Sequence, residues 1–131
     1  MWFLFGALAG VAAISIAWAQ GGGFNKPVFD DTMEGAGKAV RVVLGGIIAG
    51  DMDKVSKQAK AIATTAHKVR EFQPPQNADR ISDFRAGADT LAARATRVAA
   101  AADAKKPAVA AREFGGMVET CVGCHAVFRK D

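Results

Sequence analysis

At 131 residues, with no long polar tract, the chain is the size of one compact domain plus a short extra segment, so a single hydrophobic core is expected. Tyrosine is absent, alanine is abundant, and Val and Ile are spaced out rather than gathered in strand-length runs, which argues against a β-rich fold and predicts an all-α protein. The formal net charge is +4, the first charged residue is Lys26, and Lys and Arg are scattered among Asp and Glu, a mixed-sign surface that gives no nucleic-acid footprint.

Residues 1–19 form an uncharged apolar run ending in Ala17-Trp18-Ala19, the small-x-small pattern that signal peptidase cuts. It lacks the Lys or Arg with which a signal peptide normally opens, the first being Lys26. Nineteen helical residues also reach about the hydrocarbon thickness of a bilayer, and Trp2 and Trp18 would then fall near its two interfaces. The segment therefore reads as a signal peptide or as a membrane anchor in the form of an apolar N-terminal helix. Either fate implies export, with the rest of the chain in the periplasm, soluble or tethered to the inner membrane. Residues 20–29, opened by Gly21-Gly22-Gly23, read as a linker, and residues 30–131 as the folded domain.

Four stretches of the domain repeat apolar residues three and four apart. The first carries Met33, Gly37, Val40, Leu44 and Ile47. Gly50 can end that helix and Asp51 can cap the next, which carries Val55, Ala59, Ile62, Ala66 and Val69. Pro74-Pro75 breaks the chain before a third stripe of Ile81, Phe84, Ala88, Leu91, Ala95, Val98 and Ala102. The fourth opens near Pro107 and carries Phe114, Met117, Cys121 and Phe128. This spacing predicts an antiparallel, up-down-up-down four-helix bundle about 30 Å long.

The last helix contains Cys121-Val122-Gly123-Cys124-His125. A disulfide across so short a loop would remove little chain entropy, so the thiols are there for chemistry. Cys-x-x-Cys-His is the attachment signature of c-type haem. On a helix, Cys121 and Cys124 lie one turn apart on one face, where both sulfurs can form thioethers along one side of the ring, and His125 follows as the proximal ligand. A thioredoxin-like dithiol would need a βαβ setting, and a zinc site needs four ligands where the chain offers only two Cys and two His. His67, beside Lys68 and Arg70 in a last helical turn, reads as a surface residue favoured there by the helix dipole.

With this motif near its C-terminus, followed by Ala126-Val127-Phe128-Arg129-Lys130, the sequence resembles the cytochrome c′ family of class II c-type cytochromes over roughly residues 28–131. The resemblance implies one covalent haem c, a proximal His125, an aromatic at Phe128, and an Arg at Arg129 near the propionates. It also implies a division by the sixth iron position. Met33 stands where the low-spin, six-coordinate branch carries its methionine, which would make this an electron carrier for redox partner proteins and not an enzyme. With Met33 unbound and Phe29 in the distal pocket, it would resemble the five-coordinate branch that binds nitric oxide or carbon monoxide. A membrane-tethered haem subunit of a larger redox complex is the third reading. Dimerisation through the first two helices is common in that family, and a homodimer is the assembly the resemblance would imply.

Overall fold

A computed structural model describes residues 25–130; the apolar run 1–19 and the first half of the linker, residues 20–24, lie outside the described residues. Four helices follow in order: α1 (Lys26–Ala49), α2 (Met52–Arg70), α3 (Ile81–Asp103) and α4 (Pro107–Phe128), with a short 3₁₀ turn, Ala78–Arg80, leading into α3. Together they form the expected all-α, up-down-up-down bundle. Helix α1 starts at Lys26, inside the stretch read as a linker, because Asn25 caps it by accepting from Val28 N at 3.4 Å and Pro27 sits in its first turn.

The connections are written in the sequence. Gly50 adopts φ +74°, the left-handed conformation that ends a helix cheaply only for glycine. The Asp51 amide then bonds back to the Gly46 carbonyl at 2.8 Å, while the Asp51 side chain accepts from Lys54 N at 3.1 Å to start α2. Two residues therefore turn the chain through a half circle, and α1 and α2 are antiparallel neighbours. They pack tightly at Gly46, where a Cβ would stand 2.8 Å from Val55 Cγ2.

Helices α2 and α3 make the central pair, with α1 packed on α2 and α4 on α3; α1 and α4 meet at few points. The core divides along the bundle axis. At one end Val43, Met52, Val55, Ile62, Val98 and Met117 interlock with alanines of α2 and α3. At the other, Phe29, Val69, Phe84, Ala88 and Phe128 cluster, with Met33, Phe72, Cys124 and Val127 packed against them. Burying an aromatic or large aliphatic side chain contributes about 1.5–3 kcal/mol, so this phenylalanine cluster is a main support of its end of the bundle.

The stripe expected on α2 is buried throughout, from Val55 to Val69. On α1 the buried residues are instead Phe29, Val43 and Gly46, and Leu44 is 45% exposed. The reason is which neighbour α1 has. Its Val43–Gly46 side meets α2, whereas Met33, Gly37, Val40 and Leu44, all within about 60° of one another in helical projection, lie towards the side that is only loosely covered. Among the described residues no helix is long and apolar enough to cross a membrane.

Candidate functional site

Because α4 is antiparallel to α3, its last two turns lie beside the start of α3 and the start of α1. Those turns carry the cysteines. Cys121 and Cys124 are free thiols, each half-buried. Burial pushes both thiols above their ordinary pKa, and the neighbouring Cys121 adds to the rise at Cys124. Both are thus thiols and not thiolates at neutral pH.

His125 is more exposed than either thiol. Partial desolvation of its ring, and then the charge of Arg129, hold its pKa below the usual imidazole value. The ring is therefore neutral at physiological pH, the form that can ligate a metal. In helical projection His125 lies about 40° from Cys121 and 100° from Cys124. The Cys121–His125 side, with half-buried Phe114 and Val118, turns from α3 towards the seam that α1 and α4 leave loosely closed.

Met33 lies across that seam, half-buried against the cluster of Phe29, Phe84 and Phe128 that Cys124 also touches. Phe128 is buried and stands edge-on to Phe84, with centroids 5.3 Å apart. Arg129 is exposed; it caps α4, and its backbone N–H donates to the His125 carbonyl at 3.1 Å. Met52 and Met117 are buried in the cluster at the far end, and His67 is exposed on α2. Of the sequence-expected residues, the fold brings Met33, Cys121, Cys124, His125 and Phe128 to one end of the bundle.

A haem suits these residues. Gly87 of α3 faces Cys124, where even an added Cβ would come no closer than 3.8 Å to the sulfur. A cavity of about 400 Å³ runs beside that sulfur between α3 and α4, lined by Gly87, Glu119, Gly123, Cys124 and Phe128 among others; it lies on the α3 side of α4 and takes in neither His125 nor Met33. Its wall also holds a cation, Arg94, whose buried Nε has no hydrogen-bond partner among the described residues. Two thiols one turn apart and a neutral imidazole on one helix, beside an aromatic cluster and a loosely closed seam, answer a flat apolar ring. Among the described residues no group of three or more His, Cys, Asp or Glu could hold a bare metal ion.

Several contributors were not singled out from the sequence: Gly87, Arg94, and the loop residues Phe72, Gln76, Asn77 and Arg80 that surround the end of α4. Asn77 alone left a signal, since Asn after a Pro-Pro break is a residue that tolerates the left-handed conformation it adopts, φ 55°. In comparison with known proteins, the model of one family, Cytochrome C', matches residues 26–129, almost the whole of the described bundle. No curated protein and no solved structure matches the chain.

Proposed function

This chain belongs to the cytochrome c′ family and carries covalently attached haem c through Cys121 and Cys124, and on that premise we propose that it is a carrier of single electrons whose iron would be held by His125 and Met33. When attached, the haem supplies an iron that cycles between Fe(III) and Fe(II). The remaining work falls to the chain. Cys121 and Cys124 would tether the ring to α4, and His125, already neutral, would offer a ring nitrogen without first releasing a proton. Met33 offers a soft, uncharged thioether, a donor that raises the potential. Phe29, Phe84 and Phe128 keep water from the site, and such an apolar shell further tunes the potential.

The observation that carries this reading is that Met33 and Cys124 pack against the same phenylalanine cluster from opposite helices. The visible spectrum tests it. The oxidised protein is expected to be low-spin with a sulfur-to-iron charge-transfer band, and Met33→Leu is expected to abolish that band. An unchanged spectrum in the variant would rule Met33 out. The burial of Phe29 beside Met33 favours the second reading, a five-coordinate site that takes up nitric oxide or carbon monoxide. That site predicts a high-spin ferric spectrum already in the unmodified protein.

The reading extends to place and partners. The uncharged run ending in Ala17-Trp18-Ala19 supports export to the periplasm, and the net charge of +4 would steer the protein weakly towards acidic faces of redox partners. Mass spectrometry of the mature protein separates the fates. A chain starting at Gln20 is a soluble carrier; Met1 retained in the membrane fraction marks a tethered haem subunit of a larger complex.

A further inference from the structure

Helices α1 and α4 flank the seam yet barely touch, so their spacing is set through α2 and α3, on which they rest, and through any segment that reaches both. The segment between α2 and α3 touches both. On the α1 side, the Phe72 ring stands edge-on to Phe29, centroids 5.4 Å apart and planes at 87°, one helical turn before Met33. On the α4 side, Gln76 Nε2 donates to the Arg129 carbonyl at 2.5 Å and to the Val127 carbonyl at 3.3 Å, and Asn77 Nδ2 donates to the Val127 carbonyl at 2.6 Å. The Arg80 guanidinium stands 5.9 Å over the Phe128 ring.

These acceptors belong to the end of α4, where a helix leaves its final carbonyls without intrahelical donors. The segment is itself stiff. Pro74 is buried and Pro75 half-buried, Asn77 holds φ 55°, and the Arg80 N–H closes a 3₁₀ turn on the Asn77 carbonyl at 2.9 Å. A short stiff segment that contacts both α1 and α4 is placed to act on the width between them.

We propose that the Phe72–Arg80 segment is a spacer that sets the distance between the Met33 helix and the His125 helix, with Gln76 and Asn77 as positioning residues for the axial groups of the haem. The proposal rests on the haem reading above. Its test uses the full chain matured by a host that attaches haem, with Gln76→Glu, which replaces a donor by an acceptor, and Asn77→Gly, which keeps the positive φ but removes the amide. Ser56→Ala, at the opposite end of the bundle, serves as the control for simple destabilisation.

Haem content by mass, the ferric electron paramagnetic resonance spectrum and the melting temperature are measured on each. Both loop variants are expected to carry a full haem while their ferric spectrum splits into more than one set of signals, the minority form growing about fivefold, the scale of one lost hydrogen bond. The control should melt lower with a single unchanged signal. Loop variants that melt lower but keep the unmodified spectrum would overturn the spacer alone. Unmodified protein without haem would overturn the functional reading and the spacer with it.

Discussion

At the scale of single residues, the contacts that hold the helices in register away from the haem are polar and specific. Ser56 of α2 is buried, and its hydroxyl donates to Asp103 Oδ1 of α3 at 2.5 Å, with Lys60 Nζ 3.1 Å from the other carboxylate oxygen. The hydroxyl and then the ammonium hold the Asp103 carboxyl below its ordinary value of 3.8. A carboxyl whose pKa is depressed on folding adds stability above its unfolded value and loses it as pH falls through the folded one. Ser56→Ala removes the larger cause, so its melting temperature should lie below that of the parent at about pH 7, and the gap should close on acidification past about pH 3.9 towards pH 2. Thermal scans across that range check it. A gap that stays constant to low pH would mean that the hydroxyl acts by packing and not through the carboxylate.

At the scale of elements, what could be read from the sequence was whatever one helix decides alone. The α2 stripe is buried as its spacing demands because α2 has helices on both sides, α1 and α3. The Gly50-Asp51 turn and the proline start of α4 likewise depend only on φ and on local donors and acceptors. The cysteine pair and His125 were legible for the same reason, since i, i+3 and i, i+4 spacing on one helix is a local matter. What escaped depends on more than one element. Leu44 has the spacing of a core residue yet stays 45% exposed because α4 is not close enough to cover it. Gly87 opposite Cys124, and Gln76 and Asn77 on the carbonyls of Val127 and Arg129, join parts of the chain about forty to fifty residues apart, which no period in the sequence records.

At the scale of the whole molecule, the bundle is held unevenly. The central pair α2–α3 shares extensive contact, whereas α1 and α4 each rest mainly on one neighbour and face each other across a seam. Half-buried Met33, Gly37 and Val40 lie on one side of it, and Cys121 and Phe114 on the other. A thioether-bound ring in that seam would replace missing helix–helix contact and join the two outer helices through the core. Its removal should therefore loosen the molecule locally and not everywhere, because opening free energy follows local contact density. In Cys121→Ala/Cys124→Ala, which cannot attach haem, amide hydrogen exchange should quicken in the first half of α1 and the last two turns of α4. Those stretches should exchange at least about tenfold faster than in the haem-loaded protein, a loss of about 1.4 kcal/mol of protection. Amides of α2 and α3 around Ala59, Ile62, Ala95 and Val98, all essentially inaccessible to solvent, should keep most of their protection. Uniform loss across the four helices would show that the ring supports the fold as a whole. Unchanged exchange at the seam would show that α1 and α4 close on each other without it.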